Sequence, residues 1–127
     1  MELSVFERLM LLNILPAEGD LPTLRVVRKM REDLSFTEAE HAALRLDNKE
    51  GQITWRTALP QEEAEAMPSD KAAELNAYIA ALNKGVEIAL GPKAREIARE
   101  ALEKMNKEKK LREEHLSLCD KFEVGAE

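Results

Sequence analysis

The stretch Leu44-Arg45-Leu46-Asp47-Asn48-Lys49-Glu50-Gly51-Gln52-Ile53-Thr54-Trp55-Arg56 decides the fold class. On both sides of it apolar residues recur every three or four positions, the period of a helix. Here the period drops to two: Leu44 and Leu46 flank Arg45, and Ile53 and Trp55 flank Thr54. The run 47–51 between them is made of turn-forming residues. That is the pattern of a β-hairpin over 44–56, with Trp55 as the large apolar anchor of one face. As a core anchor, Trp55 truncated to alanine would cost about 3–5 kcal/mol. A chain otherwise helical in texture is thereby placed in the α+β class, mainly α.

Working outward, residues 1–45 read as helical. Ser4 and Glu7 have the capping-box spacing, and Pro16 closes the helix they start. Asp20 or Thr23 can cap a second helix carrying Leu24, Val27, Met30 and Leu34, and Ser35 or Thr37 a third, Thr37 and Glu40 again having the capping-box spacing. Residues 57–69, with Pro60, Pro68 and an acidic middle, read as a mobile connector able to hold one helical turn. Residues 70–124 read as helix, strand, helix, helix. Ser69 is the expected cap, and Gly85 sits where a left-handed terminating residue is wanted. Val86, Ile88 and Leu90 alternate as a third strand, which would complete a three-stranded antiparallel sheet with the hairpin. Pro92 suits the first turn of a helix striped with Ala94, Ile97, Ala98, Ala101, Leu102 and Met105. The last helix carries Leu111, His115, Leu118, Cys119 and Phe122, ahead of a frayed Gly125-Ala126-Glu127 end. The expected architecture is one domain, 1–127, with five to six helices around a small three-stranded sheet.

The segments 30–44 and 105–118 echo one another: each has a methionine, a polar break, and an acidic turn leading to one of the two histidines, His41 and His115. A duplication would predict two helix-turn-helix units flanking the sheet.

With 127 residues, 44% of them hydrophobic, the chain can close a core without metal or disulfides. Its single cysteine, Cys119, permits no internal disulfide and fits a reducing cytoplasm. The longest apolar run, Leu9 to Leu15, is far shorter than the roughly 20 residues of a spanning helix. Glu2 and Glu7 stand where a signal peptide would be basic. A membrane partner is therefore not expected.

Chemistry is sparse. Glu38 and His41 have the Glu-x-x-His spacing of dinuclear metal centres in helix bundles, but Arg112 occupies the matching position in the second segment, and a guanidinium cannot ligate a cation. His115 and Cys119 share a helical face, yet the apolar seam around them accounts for both. The five glycines are isolated and form no phosphate loop. No catalytic residue, metal ligand or cofactor site is expected.

Two surfaces stand out. Leu9, Met10, Leu11 and Leu12 are consecutive and step through about 300° of the helical wheel, three times the arc one core needs. Phe6, Leu9, Met10, Leu11 and Leu12 are thus the expected interface to a protein partner or to a second copy in a homodimer. The other surface is basic: Arg25, Arg28, Lys29 and Arg31, and the segment 93–112 with eight basic against four acidic residues. These would serve a nucleic-acid-binding regulator. A formal charge of −6 and an aromatic content of 4% argue against nucleic acid as the main partner.

The strings L-S-V-F-E-R-L-M-L-L-N-I-L-P (3–16), R-E-D-L-S-F-T-E-A-E-H (31–41), E-G-Q-I-T-W (50–55) and E-E-H-L-S-L-C-D-K-F (113–122) resemble those of small bacteriophage- and prophage-encoded proteins. The likeness spans most of the chain except 57–69 and the helix after it. It implies a bacterial or phage setting and a stand-alone small protein. It carries over no functional residue and does not separate a virion part from an accessory factor. The sequence as a whole reads as a non-enzymatic protein-binding or self-assembling factor, phage-related, acting in the cytoplasm of a bacterial host. Nucleic-acid binding is the alternative, and an enzyme with an unrecognised site the second alternative.

Overall fold

Three side-chain caps start the first three helices of the computed structural model, which describes residues 1–124. The Ser4 hydroxyl accepts from the Glu7 amide at 3.2 Å while the Glu7 carboxylate accepts from the Ser4 amide at 3.0 Å, opening α1 (Val5–Ile14). Asp20 accepts from the Thr23 amide at 2.8 Å and opens α2 (Leu21–Leu34). Thr37 and Glu40 form a second reciprocal box at the start of α3 (Glu38–Leu44). Each cap satisfies amides that a helix leaves unbonded in its first turn. The remaining elements are β1 (Glu2–Leu3), β2 (Asp47–Lys49), β3 (Gln52–Thr54), α4 (Gln61–Glu65), α5 (Ser69–Lys84), β4 (Val86–Glu87), α6 (Pro92–Lys107), a 3-10 turn at Glu113–His115 and α7 (Leu116–Lys121). The class is α+β, mainly α, with seven α-helices among the described residues. The expected frayed end, Gly125-Ala126-Glu127, lies outside those residues.

The expected three-stranded sheet is replaced by two separate two-stranded pairs, β1 with β4 and β2 with β3. The alternation at Val86, Ile88 and Leu90 yields a strand only over Val86–Glu87, and its partner is β1 and not the hairpin. The Met1 carbonyl accepts from the Ile88 amide at 2.8 Å and the Met1 amine donates to the Ile88 carbonyl at 3.0 Å. The hairpin is also shorter than expected. Its register pairs Asp47 with Thr54, Asn48 with Ile53 and Lys49 with Gln52. The connection is the two-residue turn Glu50-Gly51, with φ of 52° and 82°. Two consecutive positive φ values give the turn a twist matching that of the strands, and glycine adopts one of them without strain. Leu44 belongs instead to α3, which ends on Arg45 at φ 51°.

The chain divides into two compact units, one made of 1–35 with 87–127 and the other of 36–86. In the first unit, α1 packs on α2, α6 and α7, and α2 on α6. The core joins Leu3, Leu11 and Leu15 to Val27, Met30 and Leu34 of α2, to Ile97, Ala98 and Leu102 of α6, and to Leu118, Cys119 and Phe122 at the C-terminal end. Two charged side chains tie this unit together. Arg8, 2% exposed, donates to the carbonyls of Leu34 at 3.2 Å and Ser35 at 2.7 Å, where α2 runs out of amide partners. Glu7, also buried, is joined to Lys121 of α7 at 2.6 Å, and the same ammonium reaches the Glu2 carbonyl at 2.6 Å.

Burial by itself would push the Glu7 carboxyl up, but the Lys121 hydrogen bond, the Ser4 amide and the Lys121 charge together hold it below its ordinary value of 4.5. A carboxyl depressed in the folded state stabilises the fold fully above its unfolded pKa. That contribution is lost as pH falls from there through the depressed value. Thermal unfolding followed across acid pH is therefore expected to show a decline that is shallower in Lys121→Gln, whose Glu7 lacks the ammonium.

In the second unit, α3 and α4 pack on α5, and Ala43, Leu44, Ile79 and Leu82 are buried. Arg56 stitches the unit. Its amide donates to the Leu44 carbonyl at 2.9 Å, its Nε to the Ala43 carbonyl at 2.7 Å, and its guanidinium pairs with Glu63 of α4, which also pairs with Arg45. Both strands of the hairpin are exposed, Ile53 to 43%, and Trp55 is half-buried. Trp55 is thus no core anchor: its indole N–H donates to Asn83 Oδ1 of α5 at 2.9 Å, at the margin of the unit. Partial burial and the hydrogen bond to Asn83 set the scale, so Trp55→Ala is expected to cost about 1–3 kcal/mol in chemical denaturation.

Candidate partner-binding groove

The structure disperses the residues expected to form a partner interface on α1. Leu11 is fully enclosed in the core, so it meets no partner. Met10 and Leu12 are half-buried and pack against that core, and Leu9 is half-buried as well. Phe6 is the most open of the five, at 39% exposure. The wide apolar arc has a plain cause: α1 is covered by α2, α6 and α7 together, where one neighbour would have needed a narrow stripe.

On α2 the basic residues Arg25, Arg28, Lys29 and Arg31 are all exposed. Lys29 pairs with Asp33 at 2.9 Å, whose hydrogen bond holds the ammonium above its ordinary pKa, and Arg28 lies 4.0 Å from Glu32. Within 93–112, Lys93 pairs with Glu96, Arg99 with Glu103, Lys110 with Glu108, and Arg112 lies 3.8 Å from Glu114. Much of the basic surface is thus spent on local carboxylates, which lowers the field available to a phosphate backbone.

The two histidines do not occupy equivalent places. His41 is exposed on α3 and meets Phe36 edge-on, with ring centroids 6.1 Å apart. His115 is buried in the 3-10 turn, and its Nδ1 accepts from the Arg112 amide at 3.0 Å, acting as a cap. Both segments run from a long helix through a break into a short helical stretch, but the two histidines do different work in them. Cys119 is buried, and burial together with the Asp120 charge pushes its thiol up, away from the thiolate a nucleophile needs. Among the described residues no three His, Cys, Asp or Glu side chains gather as a metal site. No helix among them is long and apolar enough to cross a membrane.

A groove of about 550 Å³ lies in the first unit, between the end of α1, the first turn of α2 and one face of α6. The α6 side is built from Ile97, Glu100, Ala101, Lys104, Met105 and Glu108, whose spacing of three and one places them along a single helical face. Across from them stand Asn13, Ile14, Pro16 and Glu18. The floor is apolar, from Ile14, Pro16, Ile97, Ala101 and Met105, and the rim carries Glu18, Glu100 and Glu108 against one lysine, Lys104. Glu108 pairs with Lys110, whereas Glu18 and Glu100 have no cation within ion-pair distance among the described residues.

In the sequence, Ala101 and Met105 belong to the expected buried stripe of α6. The structure leaves both half-buried, because the chain turns away at Pro16 and leaves this end of α6 uncovered. The signal that could have located the groove is the pair of helix breakers, Pro16 and Gly19, opposite an apolar stripe longer than α1 can cover. Comparison of the chain with family models, with curated proteins and with solved structures finds no match.

Proposed function

We propose that this chain is a non-enzymatic protein-binding factor that seats an apolar segment with basic flanks in the groove between α1, α2 and α6. The observation that carries this is an apolar floor open to solvent beneath a rim where Glu18 and Glu100 have no ion-pair partner among the described residues. Apolar floors of this kind reward burial of a partner's aliphatic or aromatic side chains, while unpaired rim charges select the sign of what surrounds them. A net charge of −6 adds attraction for a basic partner and repulsion for a second copy. The non-enzymatic part rests on chemistry: the cysteine is buried with its thiol raised, one histidine is committed as a cap, and the other is exposed against the edge of the Phe36 ring. A phage or prophage setting, in the cytoplasm of a bacterial host, belongs to the same proposal and rests on the sequence resemblance.

The test is a titration of the full chain with two labelled synthetic helical peptides of the same apolar residues, one flanked by lysines and one by glutamates. The basic peptide is expected to bind and the acidic one to fail. Reversing an exposed rim charge with Glu100→Lys is expected to weaken the basic peptide about fivefold, the size of a rim ion pair turned repulsive. Equal binding of both peptides, or no effect of the reversal, would refute the groove as the seat. Concentration-dependent self-association blocked by the same reversal would replace the foreign partner with a second copy.

A further inference from the structure

A second cavity, of about 330 Å³, opens in the first unit against another face of α6 and is bounded by the end of α7. Its charged lining is two-sided. Arg95 and Arg99, one turn apart on α6, and Lys121 of α7 supply cations, and Glu96 and Glu123 supply carboxylates. Arg95 donates from Nε to the Leu90 carbonyl at 3.2 Å, and Arg99 from Nε to Glu103 at 3.1 Å. Both guanidiniums are thus tethered by the same atom, and their terminal amino groups have no hydrogen-bond partner among the described residues. Arg95 also has no carboxylate within ion-pair distance among them. Lys121 is fixed by Glu7 and the Glu2 carbonyl, and Glu96 is paired with Lys93 at 3.5 Å. Glu123 faces the cavity without a cation of its own among the described residues.

A guanidinium fork held at Nε presents its two terminal amino groups in the geometry that a phosphate accepts. The Glu123 carboxylate in the same lining accepts from hydroxyl or amino groups and repels a second anion. The geometry points to a small phosphate monoester with a hydroxyl-bearing body as the ligand of this cavity. The phosphate lies against Arg95 and Arg99, and the hydroxyls are read by Glu123. The volume of about 330 Å³ sits near the lower end of small-molecule sites, about 300–1,000 Å³, and suits a phosphorylated sugar or a nucleoside monophosphate.

The experiment is calorimetric titration and thermal shift of the full chain with glucose 6-phosphate, adenosine monophosphate, inorganic phosphate, glucose and adenosine. At least one of the two monoesters is expected to bind and raise Tm, more tightly than inorganic phosphate, while glucose and adenosine do nothing. Which monoester binds identifies the body. Arg95→Gln is expected to weaken that binding about tenfold or more, the range for losing a hydrogen-bonded charge, and Arg95→Lys by less. Glu123→Gln is expected to weaken the monoester and to leave inorganic phosphate unchanged. Arg95 and Glu123 are exposed, so an unchanged far-UV spectrum in each variant serves as the folding control. Failure of both monoesters to bind, or equal binding by Arg95→Gln, would overturn the assignment. So would tighter binding of a single-stranded oligonucleotide with a steep salt dependence, which would make these arginines part of a nucleic-acid surface.

Discussion

Leu11→Ala is expected to lower the stability of the chain by about 2–5 kcal/mol while leaving its sedimentation mass unchanged. Leu11 is fully enclosed among α2, α6 and the C-terminal helix, so truncation removes contacts on every side and leaves a cavity. The same substitution would have little effect on stability and would lower the mass if Leu11 lay between two copies. Sedimentation equilibrium beside urea denaturation separates the two outcomes. A monomer of 14.3 kDa before and after, with a clear drop in the denaturation midpoint, is the expected result. A fall in mass with unchanged midpoint would return α1 to the role of an interface.

Arg8→Ala is expected to cost about 3–5 kcal/mol, the scale for breaking up a buried, hydrogen-bonded charge. The guanidinium satisfies the carbonyls of Leu34 and Ser35 at the end of α2, and alanine would leave both without a donor, in addition to the volume lost. Arg8→Lys keeps the charge but supplies a point donor in place of a planar fork, so it is expected to recover only part of the loss. Equilibrium denaturation of the three proteins checks this ordering. Equal stability of Arg8→Ala and the parent would show that the two carbonyls are adequately served by water.

Local signals in the sequence were the most legible. Ser4 with Glu7 and Thr37 with Glu40 cap the helices their spacing marks, and Asp20, one of two candidates, caps α2, because a cap involves residues three apart and needs no tertiary context; Ser69 does not cap α5 but is its first residue. The hairpin was visible for the same reason, though its register was not. The run 47–51 looked like turn throughout, and only the positive φ of Glu50 and Gly51 assigns the turn to two residues and the rest to strands. Gly85 ends α5 as expected but at φ 148°, in a region outside the left-handed helical well. The pairing of β1 with β4 was not legible, since it joins residues more than eighty positions apart through backbone atoms that every sequence shares. The width of the apolar arc on α1 is legible in the sequence, but the identity of what covers it is not: α2, α6 and α7 all pack on this helix, and a sequence shows how much of a helix is apolar, not how many helices surround it. Neither cavity was legible, because each depends on where α1 or α7 stops relative to α6.

The unit built from 1–35 and 87–127 is interrupted by residues 36–86, which form a compact unit of their own. On a ribosome, α1 and α2 emerge first and must keep their apolar faces exposed until α6 and α7 follow. The intervening segment can complete its local contacts during that delay. The order of synthesis therefore runs opposite to the order in which the larger core can close. The longest-lived folding intermediate is expected to be one in which residues 36–86 are already ordered and Leu11, Met30 and Leu34 still await their partners.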